Sequence, residues 1–182
     1  MKNILMSIRL YYFYCTCKGI KTKEIRKKFP LNYKGKIYEY VSKTNWRQDL
    51  MKIPAEEREF FKQFVGKVGL CFECDKVERL YEYQVDGYGS EYEIASDTLK
   101  QEELLKECCL TYDQLSDYLD DINNGYAIHI NDLEIFDKPK DISEFKSYKK
   151  NIVSTKIGSE TFEVELDNSL SRAPQSYCFI EI

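Results

Sequence analysis

The sequence predicts an α+β domain of about six strands with helices between them, either a mixed, curved sheet or a small barrel. Three observations predict it. Short runs alternate apolar and polar residues with the two-residue period of strands, as in Ile37, Glu39 and Val41 against Tyr38, Tyr40 and Ser42. Between such runs lie segments with helix-start and helix-stop residues. The 182 residues, 14% of them aromatic, suffice for one well-packed core and are short for two.

Ile4–Ile8 is a short apolar strand. Arg9–Lys18, rich in Tyr, Phe and Cys, reads as a buried helix that Gly19 ends. Lys21–Lys28 alternates as a strand does. Thr22, Glu24 and Arg26 share one face; Lys23, Ile25 and Lys27 share the other. Pro30 and Asn32 punctuate its end. Lys36–Ser42 is the next strand. Residues 43–65 are polar and helix-prone, with Pro54 opening Ala55–Val65 near its first turn. Gly66–Leu80 reads as one strong strand, in which Val68, Leu70, Phe72 and Cys74 alternate with Lys67, Gly69, Cys71 and Glu73.

Two helices follow. One starts near Asp97; the other starts at Thr111, where Thr111 and Gln114 form a capping-box pair, and ends at Asn123-Asn124-Gly125. Tyr126–Phe136 is a strand that Asp137-Lys138-Pro139 breaks. Ile142–Tyr148 has room for one or two helical turns. Residues 151–170 read as a polar hairpin, with Val153 and Thr155 before Gly158 and Phe162, Val164 and Leu166 after it. Gln175–Ile182 is a last strand. The chain has no internal repeat and no low-complexity tract.

The net charge of −4 argues against a general, non-specific polyanion binder. The charge is uneven, however. Residues 18–36 carry eight bases against the single acid Glu24, whereas residues 73–121 carry fifteen acids and four bases. Such a basic edge and acidic flank can steer a polyanion toward one face; two merely solvated surfaces are the alternative. Seven cysteines at irregular spacing do not make a disulfide framework. Residues 1–10 lack the sustained apolar core of a signal peptide, and no apolar run approaches the roughly 18 residues that span a bilayer. A cytoplasmic protein of a reducing compartment, away from the membrane, is the expectation.

Four blocks in order carry a family resemblance. They are Met6-Ser7-Ile8 leading into a helix; Gly19-x-Lys21-x-x-Glu24-x-Arg26 with Lys27 and Pro30; Ile37-Tyr38-Glu39-Tyr40 with Gly66-Lys67-Val68; and Tyr126-Ala127-Ile128-His129-Ile130, then Asp137-Lys138-Pro139, Phe145 and the terminal Ala173-Pro174-Gln175-Ser176-Tyr177-Cys178. Together they resemble an ASCH domain of the PUA-like superfamily, in particular the small stand-alone proteins of bacteria and phages. The resemblance implies one domain over residues 1–182, longer than the minimal domain near 43–65 and 151–170. It also implies a PUA-like β-barrel of mixed strands with flanking helices and a cleft beside the motif strand.

The implied function is binding of RNA or a nucleotide. A smaller branch of the family is an amidohydrolase that removes the acetyl group from acetylcytidine with a lysine, a threonine three residues on and a distant glutamate. Lys21 falls on that lysine, and Glu24 stands where the threonine would be. Lys21 and Glu24 are the catalytic candidates if the protein is an enzyme. No metal or cofactor is implied.

Within that frame, Arg26 suits a phosphate or a base edge, because its planar fork makes bidentate contacts. Glu24 can accept from a base amino group, or can form a structural pair with Arg26. The resemblance brings Ser7, Arg9, Tyr40 and Ser42 to the same cleft and returns Arg172, Gln175 and Ser176 to it from the C-terminus. Tyr40 either stacks on a base or packs in the core. Gln175 either reads a base edge or satisfies buried backbone groups. His129, the only histidine, lies mid-strand without an adjacent nucleophile, which favours a structural role. Cys71 and Cys74 have metal-like spacing, but on a strand they face opposite ways. Cys108-Cys109 lies between two helices and reads as packing. A third reading is a protein-interaction domain that uses the acidic helices 97–122. The oligomeric state stays open.

Overall fold

The protein is described by a computed structural model covering residues 2–85, 92–120, 123, 125–149, 151–157 and 160–181, with the backbone only for 151–157 and 160–166. In chain order the elements are β1 (Asn3–Ile8), α1 (Leu10–Cys17), β2 (Lys23–Arg26), β3 (Gly35–Val41), α2 (Trp46–Met51), α3 (Arg58–Lys62), β4 (Val68–Cys74), β5 (Val77–Gln84), β6 (Tyr92–Ser96), α4 (Gln101–Cys108), α5 (Tyr112–Leu119), β7 (Tyr126–His129), β8 (Asn131–Lys140), β9 (Lys146–Ser147), β10 (Asn151–Ile157), β11 (Glu160–Leu166) and β12 (Tyr177–Glu181).

The architecture is α+β. Six strands form one sheet in the order β8-β4-β3-β1-β12-β9, and four form another in the order β2-β7-β5-β6. β1 sits in the interior of the first sheet, and its sequence says so: Ile4, Leu5 and Met6 are all fully buried, so both faces are covered. It runs parallel to β3, with Ile4 opposite Ile37 and Ile8 opposite Val41. A parallel pair needs a crossover, and α1 and β2 lie within it. On its other side β1 pairs antiparallel with β12. β10 and β11 form the expected hairpin, from Asn151 opposite Leu166 to Ile157 opposite Glu160, while Gly158 lies outside the described residues.

Two strands expected as continuous are each divided between the sheets. Residues 66–80 break at Asp75-Lys76, so that β4 pairs with β3 while β5 pairs with β7. Cys74 and Val77 are both buried in the same core, yet residues three apart on one strand point to opposite faces. The corner is therefore required, and Asn131 closes it by donating to the Asp75 carboxylate at 2.6 Å. Residues 126–136 divide likewise at Ile130, with β7 in the smaller sheet and β8 in the larger. Asp137-Lys138-Pro139 does not end β8, which runs on to Lys140. β8 is an edge strand, where a proline's missing N–H costs no ladder bond.

The closed barrel is likewise corrected. Among the described residues the strands form open sheets joined by a common core, with β8 and β9 ending one sheet and β2 and β6 the other. The helices also shift. Residues 43–65 hold α2, a 3-10 turn at Ala55–Glu57 behind Pro54, and α3. α4 begins after Lys100 rather than near Asp97. The capping box of Thr111 and Gln114 opens α5, which stops at Asp120, with φ of 60°, short of the expected end. Asn124 of that expected end lies outside the described residues. Ile142–Glu144 is one 3-10 turn followed by β9. β5 also runs on past Leu80 to Gln84, and β6, which pairs with it, is not expected from the sequence.

The main core joins both sheets to α1 and α3, with Val77 and Ile128 of the smaller sheet packed into the same cluster as the rings of Phe13, Phe61, Phe64 and Phe72. Each such ring, fully buried, contributes roughly 1.5–3 kcal/mol. A second core seats α4 and α5 on the smaller sheet through Ile25, Leu104, Leu115 and Ala127. Between α1, β2 and α5 this packing leaves a cleft. Among the described residues no helix is long and apolar enough to cross a membrane.

Candidate functional site

The cleft begins at the turn after α1. Gly19, at φ of 67°, reverses the chain, and the backbone N–H groups of Ile20 and Lys21 both donate to the Cys15 carbonyl at 3.0 and 3.1 Å. That reversal drives the Lys21 side chain inward, where only 3% of it is exposed. Its Nζ meets three acceptors: the Lys23 carbonyl at 2.5 Å, the Cys108 carbonyl at 3.2 Å and Glu24 Oε2 at 3.1 Å. Glu24 Oε1 takes Arg26 at 2.7 Å, and the same guanidinium donates to the Ser7 carbonyl at 2.7 Å. Burial alone would push the Lys21 ammonium toward the neutral amine. The charge of Glu24 and its hydrogen bond, together with Cys108 and Glu39, outweigh burial, and the Lys21 pKa is raised.

These side chains floor a cavity of about 450 Å³. Ser7, Arg9, Lys21, Glu24 and Arg26 all line it, and Tyr12, Lys52, Gln114, Asp117 and Tyr118 supply the rest of its polar wall. Arg9, at the rim, is braced by Asp49 on α2, donating to its two oxygens at 3.0 and 2.5 Å.

Beneath the floor lies a residue that the sequence reading gave no role. Glu39 on β3 is fully buried, and neither of its carboxyl oxygens has a hydrogen-bond partner. Burial first, and the Glu24 charge second, push its carboxyl up to about 8, against the opposing pull of Lys21 and Arg26. Burial thus favours its uncharged form. Arg26 Nε is buried and unpartnered as well. The signal was present in the sequence, since Glu39 shares a strand face with Ile37 and Val41.

The remaining candidates fall elsewhere. Tyr40, Ser42 and Gln175 line a neighbouring cavity of about 490 Å³, which shares Ser7, Ile8 and Arg9 with the first. Tyr40 is 8% exposed and packs with Val68, Phe136 and Phe145, so its ring is a core ring. The Ser42 N–H donates to the Ile8 carbonyl at 2.8 Å. The C-terminal segment returns to Ser7 rather than to Glu24: Ser7 Oγ donates to the Pro174 carbonyl at 2.6 Å, and the Ser7 N–H to the Ser176 carbonyl at 3.2 Å. Arg172 is exposed and lines neither cavity.

His129 belongs to a separate buried cluster on the smaller sheet. Its Nε2 lies 2.6 Å from Glu78 Oε1 and 2.5 Å from Lys23 Nζ, the residue opposite it in the β2–β7 ladder. Thr98 and Lys76 also bind Glu78, at 2.8 and 3.0 Å. Burial would raise the Glu78 carboxyl, but bonds from Ser96, Lys76, Thr98 and His129 hold it well below the usual carboxylate range. Cys71 and Cys74 point apart, toward Glu134 and toward the Tyr33 and Lys76 carbonyls.

No family model matches the chain, and no curated protein matches it. Solved structures do. A serine-to-alanine mutant of the ASCH protein of Zymomonas mobilis superposes with a TM-score of 0.52 over 99% of this chain and 89% of that one, at 14% identity. A tyrosine-to-phenylalanine mutant of the same protein gives 0.50 over 100% and 91%, again at 14% identity. The chain has the ASCH fold. At this identity the likeness concerns the fold and not the chemistry of the cleft. Within the ASCH fold the Lys21, Glu24 and Arg26 network stands on its own geometry.

Proposed function

We propose that the protein is an RNA- or nucleotide-binding module whose ligand seats in the cleft between α1, β2 and α5. The observation that carries the reading is the charge of the cleft floor. Lys21 and Arg26 supply two cations to the one carboxylate of Glu24, while burial favours the uncharged form of Glu39 below them. At the rim, Arg9 is matched by Asp49, and Lys52 and Asp117 are opposite in sign, so one net positive charge remains beneath a cavity walled by Tyr12 and Tyr118. An anionic group with a flat ring suits that combination.

Lys21 and Arg26 are themselves buried and engaged, so they set the potential of the floor. Direct contacts fall to Arg9, Lys52, Tyr12, Gln114 and Tyr118. The amidohydrolase reading asks Lys21 to act as nucleophile or base. Three acceptors within 3.2 Å and a raised pKa hold it as the ammonium, so binding is the reading we adopt.

The test is calorimetric titration with nucleoside monophosphates, unphosphorylated nucleosides and short single-stranded RNAs, on the wild type beside Tyr118→Ala and Lys52→Ala. Both substitutions are at the rim and spare the core. Phosphorylated ligands should bind with an affinity that falls as salt rises. Tyr118→Ala should weaken them by about 5- to 150-fold, the worth of one stacked base. Absence of binding by every compound, or binding indifferent to both variants, would overturn the reading and direct attention to the acidic helices α4 and α5 as a protein-binding face.

A further inference from the structure

The cleft does not end at its own walls. Its cavity shares Lys52, Leu110 and Gln114 with a second cavity of about 520 Å³, and Ser7, Ile8 and Arg9 with a third of about 490 Å³. The second lies between α1, α4 and the α4–α5 junction, where Tyr11, Lys106 and Thr111 line it. The third lies where the end of β3 meets the C-terminal segment, and Ser42, Lys43, Thr44 and Gln175 line it. The three therefore follow one another past the first turn of α1, with the cleft in the middle. Each has the size of a small-ligand site.

A cation stands at each junction. Lys52 belongs to the central and second cavities, and Arg9 to the central and third. Lys52 Nζ lies 5.2 Å from the centroid of the Tyr11 ring, which seats the ammonium beside an aromatic wall. Arg9 is fixed by its bonds to Asp49 through Nε and one terminal nitrogen, and the rest of its fork keeps N–H donors for a ligand. Two further lysines stand in the outer cavities, Lys106 in the second and Lys43 in the third. Lys43, Lys52 and Lys106 are exposed and are paired with no carboxylate among the described residues. Asp117, in the central cavity, is the one exposed acid that faces them, and neither outer cavity is lined by an acid. In a chain of net charge −4, such a row of bases is a local concentration.

We propose that the three cavities form one groove for a single strand of RNA, with successive nucleotides in the three cavities and the two phosphodiesters that join them at Lys52 and Arg9. This rests on the nucleotide reading of the cleft and adds to it that the ligand is a strand with a fixed register. A mononucleotide occupies the central cavity alone and leaves one junction cation unused. A strand carries one backbone charge per nucleotide, and the groove presents one cation per junction. Tyr11 offers a ring in the second cavity, and Tyr12 and Tyr118 offer theirs in the central one. The hydroxyls of Ser42 and Thr44 and the amide of Gln175 in the third cavity suit a base edge or a ribose hydroxyl. An acidic peptide would meet the cations but has no flat rings to set against the tyrosines.

The experiment is calorimetric titration of the full chain with 5′-phosphorylated oligoadenylates and oligouridylates of one to four nucleotides, at several salt concentrations. Affinity should rise by about tenfold or more from one nucleotide to three and then level off. The slope of log affinity against log salt should steepen by about 0.7 for each phosphodiester gained, up to three nucleotides. Lys43→Ala and Lys106→Ala should each cut the gain between one nucleotide and three by about fivefold at 0.1 M salt, the worth of one counterion-releasing contact. Lys138→Ala, at an exposed position of β8 that lines none of the three cavities, should leave that gain as in the wild type. Equal affinity for one nucleotide and three would overturn the groove and leave the nucleotide reading of the cleft in place. A length dependence that Lys43→Ala and Lys106→Ala do not touch would also overturn it, as would equal binding of an oligo-glutamate peptide of matching charge. Failure of every length to bind would overturn the groove together with the reading on which it rests.

Discussion

Lys21 Nζ and Glu24 Oε2 lie 3.1 Å apart, with 3% and 8% of their side chains exposed. A buried pair of this kind adds little over an apolar pair, yet it is costly to break from one side, because the partner is left charged and unmatched. Lys21→Met should therefore destabilise the fold by about 3–5 kcal/mol in urea unfolding, since Arg26 alone would remain to Glu24 and two backbone carbonyls would lose their donor. Glu24→Gln should cost a similar amount by leaving two cations together. A loss below about 1 kcal/mol for both would mean that water reaches the floor and screens it.

Glu39 gives the opposite signature. Its folded pKa, about 8, stands above its ordinary value of 4.5, so between those values the folded state holds a proton that the unfolded state has released. Stability should fall as pH rises through that window, and the full cost is on the order of a few kcal/mol. Glu39→Gln cannot ionise and should flatten the decline. Melting temperatures of both proteins from pH 5 to 9 check this. Parallel curves would show that Glu39 is already ionised or paired in the fold.

At Glu78 the sign reverses again. Bonds from Ser96, Lys76, Thr98 and His129 depress its folded pKa below the unfolded value, so its contribution is present at neutral pH and lost as pH falls through the acid range. Glu78→Gln should destabilise the fold by about 3–5 kcal/mol at pH 7, because Lys23 loses its buried carboxylate and His129 its closest oxygen. The difference between variant and wild type should shrink in acid, from about pH 5 downward. A difference constant with pH would place the stabilisation in packing alone.

Local chemistry made part of this molecule legible. The β1, α1 and β3 segments and the Thr111 cap announce themselves through apolar alternation, a helix-ending glycine and a capping box, each decided within a few residues. The divisions at Asp75-Lys76 and Ile130 were hidden because alternation continues up to a corner and says nothing of which strand it will meet. Pro139 misled for the same reason: its cost depends on β8 lying at a sheet edge, a long-range fact. In the cleft, Glu24 and Arg26 stand two apart on one strand face, and their side chains meet at 2.7 Å. Glu39 could be noticed as an acid among apolar neighbours, but its unpartnered state depends on Lys21 and Arg26 being committed elsewhere. Tyr40 was ambiguous because an alternating strand does not say which face meets another layer.

Gly69 tests the packing that carries α1 over the sheet. A Cβ at this position would stand 2.5 Å from Phe13 Cζ and 2.6 Å from Phe64 Cδ1. Both rings are fully buried and lie against each other with centroids 5.0 Å apart, so neither can move without displacing the other. Gly69→Ala gains at most about 1 kcal/mol from reduced freedom of the unfolded chain. Overpacking should outweigh that, for a net loss of about 1–3 kcal/mol in denaturant unfolding. If the clash is the cause, Phe64→Leu made in the Gly69→Ala background should be less harmful than Phe64→Leu alone. Equal costs in the two backgrounds would mean that the strand shifts to admit the methyl group, and that the close approach of β4 to α1 is not what fixes the wall of the cleft.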